Sequence, residues 1–181
     1  MLETLITSRT RIKLMTKFFL NPRTKAYLRE LERSFDESCN AVRLELNRFE
    51  ESGLLRSSLE GNRKIFMANT NHPLFQNIHS MLLINYGIDR ILDEITVMQG
   101  DTQQVWLGGE LARGNESEFI DLLLVGTTID QEYSEQLTLK TESLTNRKIR
   151  ITIFSPGEFA AMQNKINSTD IFLLQDSQSL A

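Results

Sequence analysis

The chain has 181 residues, 40% of them hydrophobic and 24% charged, with a formal net charge of −4. That suits one or two domains of ordinary globular composition. No apolar run reaches the ~18 residues that a membrane-spanning helix needs, and a single cysteine, Cys39, excludes an internal disulfide.

The lone cysteine fits a reducing compartment, and a cytoplasmic location is expected. The first twenty residues, MLETLITSRTRIKLMTKFFL, are amphipathic and carry no small-residue cleavage site, so they do not read as a signal peptide. The net charge hides an asymmetry. Residues 1–70 hold 13 Lys and Arg against 9 Asp and Glu, while residues 71–181 hold 7 against 15. A basic first part and an acidic second part suggest different partners.

In chain order, Ser8 to Leu20 predicts a helix. Ile12, Met15, Phe18 and Phe19 recur on one helical face, and Asn21-Pro22 stops it. Ala26 to Phe35 predicts a second helix with Leu28, Leu31 and Phe35 inward. Ser38 to Ser52 predicts a third, capped by Ser38 and ended by Gly53 in the left-handed conformation. Leu54 to Leu59 and Lys64 to Ala68 read as strands around Glu60-Gly61-Asn62. His72 to Asn85 and Ile88 to Met98 read as two helices with more apolar surface than they could hide alone. Gln99-Gly100-Asp101 marks a boundary.

Beyond it, Val105 to Leu107 and Phe119 to Val125 read as strands, and Asp130 to Leu144 as a helix capped by Asp130. Lys148 to Phe154 is a strand with alternating Ile149, Ile151 and Ile153. Pro156 to Lys165 is a helix with Pro156 and Glu158 in its first turn. Ser177 to Ala181 reads as a frayed tail. This order implies a small α/β domain after a helical one.

On the third helix, Val42, Leu46 and Phe49 fall on one face. Cys39, Asn40, Arg43 and Asn47 fall on the other. Arg can bond two atoms on a guanine edge and Asn two on an adenine edge. Ser38 lies at the start of that helix, where a recognition helix reaches deepest into the major groove. Arg63 and Lys64 flank the hairpin turn, placed for phosphate contact. A solvated helix face is the plainer account of the same residues.

Residues 5–75 resemble the winged-helix domains of ArsR-like bacterial transcription regulators. The resemblance is carried by TSRTRIKLMTKFFLNP, AYLRELERSF, SCNAVRLELNRFEESGLL and GNRKIFMANTNHPLF. It implies operator binding to double-stranded DNA as a homodimer. Some members of that family sense metals through Cys, His and Asp clusters. Here Cys39 has no partner cysteine, and His72 and His79 are too far apart in sequence for an i, i+4 pair, so no metal site and no cofactor is expected.

Residues 106–126, WLGGELARGNESEFIDLLLVG, resemble the minimal nucleotidyltransferase domain of the DNA polymerase beta superfamily. That family carries a glycine turn, a short helix and a strand with two alternate carboxylates. A later strand brings a third. Gly108, Gly109, Arg113, Gly114 and Asp121 match. Phe119 stands where the first carboxylate belongs, Glu118 points to the other face of a regular strand, and KIRITIF carries no carboxylate. Two-metal phosphoryl transfer needs all three, so no catalytic residue is assigned. Gly108, Gly109, Arg113 and Asp121 form a vestigial nucleotide site. A bulge could re-aim Glu118.

The expected fold is therefore α+β. It has a winged helix-turn-helix over 1–70, a helical connector and dimerisation segment over 71–100, and a nucleotidyltransferase-like α/β domain over 101–181. The expected function is sequence-specific DNA binding, with the last domain sensing a nucleotide or other small ligand, or contacting a protein. Two rivals have their own tests. One is an active nucleotidyltransferase targeted by the winged helix. The other is a protein adaptor that never meets DNA.

Overall fold

A computed structural model describes residues 2–97, 101–129, 131–145 and 147–177. The chain is mixed in helix and strand, and it divides into two compact units. The first runs to Asn85 and includes Gly114–Glu116. The second holds Tyr86–Arg113 and the residues from Ser117 on. The division between the units falls at Asn85–Tyr86.

The first unit opens with α1 (Leu2–Leu5) and α2 (Arg9–Met15). The Ser8 hydroxyl caps α2 by accepting the Arg11 N–H at 3.3 Å. The expected single helix to Leu20 instead widens into a π-helical turn over Thr16–Leu20, all five residues buried. Next comes β1 (Lys25–Tyr27), where a helix was expected from Ala26. Ala26 favours helices, yet here it is buried and pairs across to Phe66, so tertiary pairing overrides propensity. The helix α3 (Leu28–Phe35) therefore starts two residues late, and Asp36 ends it in the left-handed region.

The helix α4 (Cys39–Glu51) follows the expected bounds closely. The Ser38 hydroxyl accepts the Ala41 N–H at 3.2 Å, and Gly53 sits at φ +76. Val42 and Leu46 are 0% and 1% exposed, as the 3.6-residue period requires. The strands β2 (Leu55–Glu60) and β3 (Arg63–Ala68) join through Gly61-Asn62, and the sheet order is β1-β3-β2. The helix α5 (Phe75–Tyr86) closes the core. Phe75 lies 5.9 Å from Phe19, which meets Phe49 edge-on at 6.3 Å.

The second unit contains α6 (Ile88–Val97), β4 (Thr102–Gly108), α7 (Gly109–Ala112) and β5 (Phe119–Gly126). They are followed by α8 (Gln131–Thr145), β6 (Lys148–Phe154), α9 (Pro156–Gln163) and β7 (Phe172–Asp176). The sheet order is β6-β5-β4-β7, with β5 and β6 parallel and the other pairs antiparallel. The sequence reading had no β7. Trp106, Val125, Phe159 and Ile171 form the core on one face of this sheet. A capping box joins Ser155 and Glu158 at the start of α9. The expected cap Asp130, the helix end at Met98, the turn at Gln99-Gly100 and the tail from residue 178 lie outside the described residues.

Candidate functional site

Because α4 buries Val42, Leu46 and Phe49, it turns Asn40, Arg43, Leu44 and Asn47 outward, all exposed. A concavity of about 710 Å³ opens between α3, α4 and the hairpin. Arg29 and Arg33 reach it from α3, Arg43 and Asn47 from α4, and Arg63 and Lys64 from β3. Among the described residues that line it there is no carboxylate. Arg29 and Arg33 are four apart, so one face of α3 presents both. The sequence reading named Arg43, Asn47, Arg63 and Lys64 but not this pair. The i, i+4 spacing within a predicted helix was the signal that could have found it.

The cations are not equivalent. The Arg63 guanidinium lies 5.0 Å from the centre of the Tyr27 ring, which steadies it while leaving its N–H groups free to donate outward. The Lys64 ammonium is 2.6 Å from Glu50 and 5.1 Å over the Phe66 ring. Glu50 also accepts the Ser57 hydroxyl at 2.5 Å. The Lys64 bond first, then the Ser57 bond, hold the Glu50 carboxyl below its ordinary range. Lys64 is thus partly neutralised within the chain, which the sequence reading did not anticipate. Ser38 uses its oxygen as the α4 cap and keeps its hydroxyl proton to donate. Arg43 is 3.7 Å from the Cys39 sulfur.

In the second unit the strand register brings Gly108, Asp121 and Arg150 side by side on neighbouring strands. The pair is bidentate. Arg150 Nε donates to Asp121 Oδ1 at 2.5 Å and a terminal nitrogen donates to Oδ2 at 2.8 Å. The guanidinium also lies 4.4 Å from the centre of the Phe119 ring. The bonds to Asp121 raise the Arg150 pKa above its ordinary value. Each oxygen of Asp121 thus accepts one hydrogen bond from Arg150, whose side chain is 60% exposed.

The pairing of β5 with β6 runs unbroken from Phe119 to Val125, and Glu118 lies just before it. Gly109 sits at φ +66, and a Cβ there would come within 2.0 Å of Asp121 Oδ2. Gly109 thus makes room for Asp121, while a Cβ on Gly108 would meet Leu123 at 2.8 Å. The helix α7 that follows has only four residues, too few to sum a useful dipole, and Glu110 lies in its first turn. Arg113 is held by Asp170 and Glu110, both at 2.9 Å, and those bonds raise its pKa, Asp170 first.

Among the described residues no three His, Cys, Asp or Glu side chains converge as a metal site would need. His79 Nδ1 is 2.7 Å from the Phe19 carbonyl, and His72 Nδ1 accepts the Leu74 N–H at 3.2 Å. No described helix is long and apolar enough to cross a membrane.

No protein-family model and no curated protein matches the chain. Among solved structures, a protein of Archaeoglobus fulgidus is 17% identical. The match covers 56% of this chain and 100% of that one, with a TM-score of 0.37. A protein of Sulfolobus solfataricus, provisionally designated a nucleotidyltransferase, is 20% identical. That match covers 56% and 87% of the two chains, also with a TM-score of 0.37. Likenesses of this size carry no inference about what the chain does.

Proposed function

We propose that this chain is a DNA-binding transcription regulator whose first unit is a winged helix-turn-helix. The observation that carries the reading is the cationic concavity beside the outward face of α4. Its charge suits the phosphate backbone, and the neighbouring amides and guanidinium suit base edges. Asn40, Arg43 and Asn47 read bases. Arg29, Arg33 and Arg63 hold phosphates, with Lys64 shared between Glu50 and the backbone. The chain acts as a homodimer in the cytoplasm, which multi-angle light scattering and cell fractionation would test. In this reading the second unit does not transfer nucleotides, because Phe119 and β6 supply no carboxylate beside Asp121, which is itself paired with Arg150.

Fluorescence anisotropy with labelled genomic duplexes tests the reading. Binding should weaken steeply between about 50 and 200 mM salt, as counterion release requires. Arg43→Ala should cost ~1–3 kcal/mol and relax one base preference, and Arg29→Ala should lower the salt slope by about one on every sequence. Unchanged binding in both Arg43→Ala and Arg63→Ala would show that this face is not the interface. Radiolabelled ATP with Mg²⁺ or Mn²⁺ should give no label transfer. Transfer that disappears in Asp121→Ala would overturn the non-catalytic assignment.

A further inference from the structure

The outward face of α4 carries one large apolar side chain among its polar neighbours, Leu44, which is 49% exposed. Asn40 precedes it by four residues and Asn47 follows it by three, so the three side chains form one strip along the helix. Both amides are exposed. The strip is apolar at its centre and can bond at both ends.

Duplex DNA offers one surface of that composition. In the major groove an adenine presents N6 and N7 to an amide, and its thymine partner presents a C5-methyl group. Successive side chains on the strip are about one helical turn apart, ~5.4 Å, against a base-pair rise of ~3.4 Å. Each therefore meets a different, nearby step. We propose that Leu44 is a specificity-determining residue that packs on thymine methyl groups, and that the target is duplex DNA with A·T pairs beneath α4. Asn40 and Asn47 take the adenine edges of the same run. This rests on the reading of α4 as the DNA face.

Charge and shape decide the occupant. Asn47, at one end of the strip, lines the concavity together with Arg29, Arg33, Arg43 and Arg63, and no carboxylate lines it among the described residues. An apolar protein surface laid there would leave cations and amides buried without partners. An RNA duplex has uracil without the methyl and a major groove too narrow for a helix.

The test begins with a random-core DNA duplex pool enriched over several rounds on the full chain. The selected duplex is then made again with deoxyuridine in place of thymidine. Selected cores should be rich in A·T pairs. Removing the methyl groups should weaken binding roughly fourfold for each one contacted. Leu44→Ala should bring the thymine-to-uracil ratio to about one and leave the salt slope unchanged. Leu44→Ile should keep part of the ratio. Equal affinity for the two duplexes, a ratio that survives Leu44→Ala, or a pool that returns no A·T preference overturns the proposal while salt-dependent DNA binding stands. Absence of binding to any duplex at low salt overturns the proposed function itself and this proposal with it.

Discussion

Glu50 joins Lys64 to the Ser57 hydroxyl and so links α4 to both strands of the hairpin. Its carboxyl is held below the ordinary value of 4.5, so the folded chain binds this proton less readily than the unfolded chain does. The stabilisation is complete above pH 4.5 and is lost as pH falls through the depressed folded value. The Tm advantage of the wild type over Glu50→Gln, measured by calorimetry, should therefore be present at pH 7 and shrink on acidification below 4.5. The same substitution releases Lys64. It should steepen the salt dependence of DNA binding by about one unit. An unchanged slope would remove Lys64 from the phosphate contacts. Arg150→Ala acts in the other unit. It strips a half-buried carboxylate of both hydrogen bonds and should lower that unit's stability in urea, whereas Arg150→Ala on an Asp121→Asn background should cost less.

Two turns show how a glycine's surroundings set its cost. Gly61 ends the hairpin at φ +59 with nothing within 4 Å of a would-be Cβ, so Gly61→Ala should cost only the left-handed strain, ~1 kcal/mol. Gly109 combines φ +66 with Asp121 in the way. Gly109→Ala must also displace the Asp121–Arg150 pair and should cost more than ~2 kcal/mol. Denaturant titrations of both variants check the contrast, and equal losses would refute it. The helix α4 was legible in sequence because its cap, its period and its terminal glycine agree. So was β6, where isoleucines alternate. The strand β1 was not, since three residues give no alternation to read and Ala26 extends the helical pattern of α3. Neither was β7, whose FLLQD lacks β-branched residues and is half-buried throughout. At the site, Phe119 and the absence of a carboxylate from KIRITIF were plain in the sequence. The ion pair was not, because it depends on the register of two strands that are distant in the chain.

The whole chain is acidic, with a pI near 5.3, so it has no global attraction to a polyanion. Under the proposed function, association with DNA comes from the local field of the first 70 residues, where cations outnumber acids. Salt should therefore act on the association rate chiefly through cations such as Arg29, Arg33 and Arg43, and Asp121→Ala should leave that rate unchanged in stopped-flow. The second unit has a property useful to anyone who tests these points. Trp106 is the chain's one tryptophan, 7% exposed, with its ring 5.1 Å from Phe159 and its Nε1 donating to Gln104 at 3.1 Å. Indole emission is thus an optical gauge built into one half of the molecule. Its red shift on denaturation dates the opening of that sheet separately from the loss of helix seen by circular dichroism. A duplex titration that raises anisotropy while leaving the indole spectrum still would assign the ligand to the other half without a single label on the protein.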